Sequence, residues 1–127
     1  MQKVLFIIYV EDQVRSKMFY ENILYLKPIL DVPGMTEFEL NDYTNLGIMP
    51  EKGIAKILGN KVPDPATANG IPRCEIYLFV DDPQKAYLNA IKNDATPIND
   101  TKPYDWGDEV AYCADFDGNI IAFAKTI

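Results

Sequence analysis

The sequence predicts an α+β fold built from two βαβββ half-repeats, on three observations. Short runs of β-branched and aromatic residues alternate with segments whose apolar residues recur at helical spacing. Ile8-Tyr9-Val10-Glu11-Asp12 superposes on Leu78-Phe79-Val80-Asp81-Asp82 at an offset of 70 residues, with a strand pattern before and a helix pattern after each. Of the 127 residues, 48% are hydrophobic and 12% aromatic, enough for one domain's core and too many for a disordered chain.

Val4 to Val10 (VLFIIYV) is too short and too rich in strand formers for a core helix, so it reads as a buried strand. Asp12 is a helix cap, and the amphipathic pattern runs from Gln13 to about Tyr25, until Pro28 forbids continuation. Ile29 to Val32, Met35 to Leu40 and Thr44 to Met49 follow as a three-strand meander, broken by Pro33-Gly34 and Asn41-Asp42-Tyr43. Gly53 to Leu58 reads as a short helical turn. The residues from Gly59 to Arg73 hold Pro63, Pro65, Pro72, Gly59 and Gly70 and read as a linker. The opening pattern then returns: a strand at Cys74 to Val80, an Asp82-Pro83 helix start running to about Asp94, and strands at Thr96 to Ile98, Glu109 to Ala114 and Asn119 to Ala124. One domain over residues 1–127 is expected, with half-repeats at about 1–58 and 73–127 and the linker at about 59–72.

Alternation along a strand puts Leu5, Ile7 and Tyr9 on the face opposite the first helix. By the offset, Glu75, Tyr77 and Phe79 hold the equivalent places in the second half. Each half then has one helix-covered sheet face and one free face, and two such halves can curl their free faces into a common cleft.

Composition narrows the chemistry. The chain has no histidine, which removes His-based acid-base catalysis, Ser-His or Cys-His relays, and His-ligated metals. A net charge of −7 opposes nucleic-acid binding and favours cationic or neutral partners. Cys74 and Cys113 lack CxxC spacing and read as buried reduced thiols. No apolar run approaches the roughly 20 residues of a membrane span and no signal-peptide pattern opens the sequence, so no membrane partner and a cytoplasmic location are expected.

Tyr9-Val10-Glu11-Asp12, then Ser16 and Phe19-Tyr20 with Leu24, and Trp106-Gly107-Asp108 to Tyr112 leading into Asp115-Phe116-Asp117-Gly118-Asn119, together resemble the vicinal oxygen chelate superfamily. That superfamily includes glyoxalase I, bleomycin-resistance proteins and extradiol dioxygenases. The resemblance spans both half-repeats and departs from the usual pattern at Phe116, where a proline is common. It implies the glyoxalase/bleomycin-resistance fold, in which a curled sheet forms a cleft. It also implies frequent dimerisation and, in metal-dependent members, a divalent ion held from the inner strand faces. Matched position by position, those ligands fall on Leu5, on Glu75, on Ala122 and within the strand Asn45 to Met49, which has no Asp, Glu or His. One carboxylate of four does not hold zinc, nickel or iron, so no metal and no cofactor are expected.

The expected ligand-binding residues are Leu5, Ile7, Tyr9, Met49, Glu75, Tyr77, Phe79, Trp106, Tyr112 and Ala122. Aromatic walls with one or two acids suit a flat or cationic organic molecule. Metal-free bleomycin-resistance proteins, acidic dimers that sequester a cationic drug, supply the first functional reading: a homodimer that binds a small molecule without chemistry. The second is a metal-independent enzyme using Glu75 as general base, and the third is a structural or partner-binding module with a vestigial cleft. Core packing is the competing role for Tyr9, Tyr77 and Phe79, and for Glu75 pairing with Arg73 or Lys56. Trp106 could equally plug a turn, Asp115 and Asp117 are expected to form a turn rather than a calcium loop, and Cys113 is expected to be inert.

Overall fold

The computed structural model describes residues 1–127. The chain divides into two units, Met1–Asn69 and Gly70–Ile127.

In the first unit, β1 (Val4–Val10) leads to α1 (Gln13–Leu24), then to β2 (Leu30–Val32), β3 (Met35–Asn41) and β4 (Thr44–Pro50), which runs without a loop into α2 (Glu51–Leu58). The strand order is β1-β4-β3-β2. β1 and β4 are parallel, with Ile8 opposite Ile48, and β3 is antiparallel to β4, with Phe38 opposite Leu46. Asp12 starts α1 by accepting a hydrogen bond from the Arg15 amide at 3.0 Å, and Tyr25, in the left-handed region at φ 56°, ends it. Phe19, Tyr20 and Ile23 of α1 are buried, as are Ile8, Val10, Phe38, Leu46 and Ile48 on the sheet. Each such side chain contributes about 1.5 to 3 kcal/mol by leaving water. Gln13 ties the β2–β3 hairpin to the helix start, donating to the Val32 carbonyl and Thr36 Oγ1 and accepting from the Gly34 amide.

The second unit repeats the plan. β5 (Glu75–Phe79), α3 (Pro83–Lys92), β6 (Thr96–Pro103), β7 (Asp108–Ala114) and β8 (Ile120–Thr126) give the order β5-β8-β7-β6. Asp82 caps α3 through the Lys85 amide at 3.1 Å, with Pro83 in the first turn, so the two helices start by the same device. Tyr87 and Ala90 of α3 are buried, together with Ala111, Cys113, Ile121 and Phe123 on the sheet face that carries them.

The turn before β8 is held from within. The Asp115 carboxylate accepts from the Asp117 amide, the Asn119 amide and Asn119 Nδ2, all at 2.9 Å. Gly118 sits at φ +90°, and a Cβ there would lie 2.7 Å from the Gly70 carbonyl carbon, so only glycine fits. Asp115 and Asp117 therefore act as turn formers.

Two boundaries and one residue's burial differ most from the sequence pattern. α2 begins at Glu51 rather than Gly53. β6 extends to Pro103, with register shifts around Asn99 that accommodate its prolines on an outer strand. Cys74 is half-buried rather than buried, whereas Cys113 is fully buried, and both thiols are free.

Candidate functional site

Alternation sorts the expected site residues onto two sheet faces, each opposite its unit's helix. On the first sheet, Leu5, Ile7 and Tyr9 of β1 stand opposite Asn45, Gly47 and Met49 of β4. Leu5 and Ile7 are exposed, and Tyr9 and Met49 are half-buried. A Cβ at Gly47 would lie 3.2 Å from Leu5 Cδ1, Ile7 Cγ1 and Met35 Sδ, so the missing side chain lets these three close over the strand. Asn45 on the same face is buried and donates from Nδ2 to Glu37 Oε1 at 3.3 Å.

On the second sheet, Glu75, Tyr77 and Phe79 of β5 alternate on the free face, opposite Ile120, Ala122 and Ala124 of β8. Tyr112 of β7 flanks Ala122 from the other side, and Val110 flanks Ala124. The small central residues are what make this face distinctive. Ala122, Ala124 and Val110 are fully buried, and the rings of Tyr77, Tyr104 and Tyr112 lie against them. Ala122 thus forms the floor beneath the rings.

The turn between β6 and β7 brings Trp106 onto this face. It is closed by the Tyr104 amide donating to the Asp108 carbonyl at 2.9 Å and the Gly107 amide donating to the Tyr104 carbonyl at 3.2 Å. The Trp106 and Tyr104 rings stack with centroids 4.5 Å apart and planes 19° from parallel. Trp106 Nε1 donates to the Tyr77 hydroxyl at 3.1 Å, and that hydroxyl donates to Asp108 Oδ2 at 2.7 Å. Tyr112 meets Tyr104 edge-on at 5.8 Å, Phe79 meets Tyr77 edge-on at 5.4 Å, and the Lys102 ammonium lies 5.3 Å from the Tyr104 ring centre. Trp106 remains 54% exposed and Phe79 67% exposed, so ring surface is left facing solvent. Trp106 is accordingly not a plug.

Burial pushes the Tyr77 phenol above the usual tyrosine range; the Asp108 carboxylate and Glu75 add to the shift, while the Trp106 N–H opposes it. Burial also raises Tyr112, followed by the charge of Glu75. Both phenols are therefore neutral at pH 7, not bases or nucleophiles. Glu75, at the start of β5, is exposed. Burial drives the Cys113 thiol up to about 12, which leaves it inert.

The donor set does not fit a metal ion. Leu5 and Ala122 offer no donor atom, and nowhere do three His, Cys, Asp or Glu side chains gather into a group that could hold one. Sequence reasoning missed Tyr104 and Asp108 as members of the aromatic face. The available signal was the spacing of Tyr104, Trp106 and Asp108, alternate residues across a glycine turn.

The family model for the glyoxalase-like domain matches residues 3–127. The chain belongs to the glyoxalase-like family. Solved structures agree on the fold. A glyoxalase-related enzyme from Fulvimarina pelagi superposes with a TM-score of 0.81 at 16% identity, covering 99% of this chain and 89% of that one. A glyoxalase/bleomycin resistance protein/dioxygenase from Nocardioides gives 0.78 at 16% identity, covering 100% and 83%. A protein of unknown function from Agrobacterium tumefaciens gives 0.79 at 23% identity, covering 100% and 95%. Among curated protein sequences, none matches. This glyoxalase-like chain is thus a member of the vicinal oxygen chelate superfamily, with its two half-repeats formed as separate four-stranded mixed sheets. No helix is long and apolar enough to cross a membrane.

Proposed function

We propose that this glyoxalase-like protein binds a small, flat, cationic organic molecule on the aromatic face of its second sheet, without a metal ion. The observation that carries the reading is the Trp106–Tyr77–Asp108 chain of hydrogen bonds. It spends the indole N–H internally and fixes the ring as a platform, with the Asp108 and Glu75 carboxylates nearby. A ring face attracts cations and planar π-systems, and neighbouring carboxylates add charge attraction without supplying a nucleophile. The chain's net charge of −7 favours the same ligands.

Thermal shift against planar cationic dyes and their neutral isosteres tests this, because a ligand of the native state raises the melting temperature by mass action. The single tryptophan, Trp106, also gives a direct titration by quenching. Trp106→Leu removes the stacking surface and is expected to weaken a cationic dye about tenfold. Glu75→Gln removes an exposed charge worth about 1 kcal/mol, and is expected to weaken it about fivefold. Neutral isosteres that bind as tightly as cations, or affinity unchanged in both variants, overturn the assignment. Turnover of a bound compound that Glu75→Gln abolishes would favour a general base instead.

A further inference from the structure

The bond between the two units joins Asn69 to Gly70, the only Asn-Gly pair in the sequence. Asn-Gly is the dipeptide most open to deamidation, because a glycine leaves its backbone nitrogen unshielded. Both residues are exposed and lie in a turn at the end of the proline-rich connection. The fold nevertheless restrains both reacting groups. Asn69 Nδ2 donates to Glu51 Oε1 at 3.2 Å, which holds the side-chain amide, and Asn69 sits at φ −55° and ψ 130°. The Gly70 amide donates to the Asp117 carbonyl at 3.1 Å, in the turn where Gly118 packs against Gly70. That hydrogen bond keeps the proton that the nitrogen must lose.

Glu51 is itself unusual. Its side chain is only 5% exposed, Asn69 is its one hydrogen-bond donor, and Oε2 is buried without a partner. A buried carboxylate with one donor is costly to strip of it.

We propose that Asn69–Gly70 is a modification site, a deamidation point that the folded chain guards through Glu51 and the Asp117 carbonyl, and whose reaction releases the connection between residues 59 and 73. In the reaction, the Gly70 nitrogen loses its proton to solvent base and bonds to the Asn69 side-chain carbonyl carbon. The bond from that carbon to Nδ2 breaks, and ammonia leaves with a proton from water. Water then opens the cyclic imide at either carbonyl, giving aspartate or isoaspartate. Either product replaces a donor with a carboxylate set against the buried Glu51 carboxylate, and isoaspartate also lengthens the backbone.

The test is peptide mass spectrometry at residue 69 after incubation of the intact protein in mildly alkaline buffer, folded and in urea. Deamidation is expected to be at least about tenfold slower in the folded protein, since it requires local opening. Glu51→Ala, checked for folding by circular dichroism, is expected to bring the folded rate toward that in urea. Asn69→Asp mimics the product and is expected to raise protease cleavage between residues 59 and 73. Adding Glu51→Gln to Asn69→Asp restores a donor and acceptor pair and should reverse that effect, which keeps the test open if Glu51→Ala does not fold. Equal rates in buffer and urea overturn the proposal. So does Asn69→Asp as protease-resistant as the parent, or a double variant no better than Asn69→Asp alone.

Discussion

Replacing Tyr77 with phenylalanine removes one oxygen and leaves every ring on the second sheet in place. That oxygen accepts from Trp106 Nε1 at 3.1 Å and donates to Asp108 Oδ2 at 2.7 Å. The first bond involves an exposed indole, worth about 0.5 kcal/mol, and the second is to a charged acceptor, worth about 1.5 kcal/mol. Tyr77→Phe should therefore destabilise by about 2 kcal/mol, a factor of about 30 in the folding equilibrium. The urea midpoint should fall by about 1 M and the Tm by about 7 °C. Tyr112→Phe is the control. Its hydroxyl lies on the same face and makes no hydrogen bond, so its loss should stay within about 0.5 kcal/mol. Because Trp106 is the only tryptophan, its fluorescence reports on the turn directly, and Tyr77→Phe should change the emission in the folded state where Tyr112→Phe does not. Coincident urea curves for the two variants, with folded-state emission unchanged in Tyr77→Phe, would refute the claim that this hydroxyl holds the Trp106 platform.

Three further outcomes are expected. The Cys113 thiol, about 12 in the folded protein against 9.0 in the unfolded chain, holds its proton more tightly when folded. Stability from this group is therefore complete below pH 9 and falls above it by about 1.4 kcal/mol per pH unit, with Tyr77 and Tyr112 adding to the loss only above pH 10. Urea titrations of Cys113→Ala should show a smaller decline between pH 9 and pH 10, the remainder belonging to the half-buried Cys74, whose thiol burial also raises; a decline of the same size as in the parent would contradict the assignment. Elemental analysis of protein purified without chelator should find no stoichiometric zinc, nickel, iron or manganese; one tightly held ion per chain would sink the metal-free reading. Sedimentation equilibrium at micromolar concentration should give twice the 14.4 kDa chain mass, because β1 is an outer strand of its sheet and no charged or proline residue guards the run from Val4 to Val10. A monomer at that concentration would contradict this.

Much of the fold was legible because it rests on short-range rules. Asp12 and Asp82 mark helix starts since each carboxylate reaches an amide three residues on, and the strand alternation places Leu5, Ile7, Glu75 and Tyr77 by parity alone. What escaped depends on pairing or packing. β6 contains Pro97, Asn99, Asp100 and Pro103, a composition that argues against a strand, and an outer position with register shifts makes it tolerable. Nothing in the sequence marks Glu51 as buried, yet Pro50 turns β4 directly into α2 and sets the carboxylate against Asn69. The Tyr104–Trp106 stack requires the glycine turn to be closed before two alternate residues can lie parallel.

The duplication explains why the candidate site sits on the second sheet. Both units keep the same strand order and the same Asp-capped helix, so their helix-covered faces are constrained alike by core packing. The opposite faces differ. On the first, Gly47 allows Leu5, Ile7 and Met35 to close over the central strand, which leaves an aliphatic surface with Asn45 bound to Glu37. On the second, Ala122 and Ala124 occupy the central strand and the space above them is filled by rings, with the polar atoms of Tyr77, Trp106 and Asp108 joined to one another. A larger residue at 122 would displace Tyr77 and Tyr112 together, since it stands between them in register. The aromatic platform therefore depends on alanine at the position where the family resemblance places a metal-binding acid.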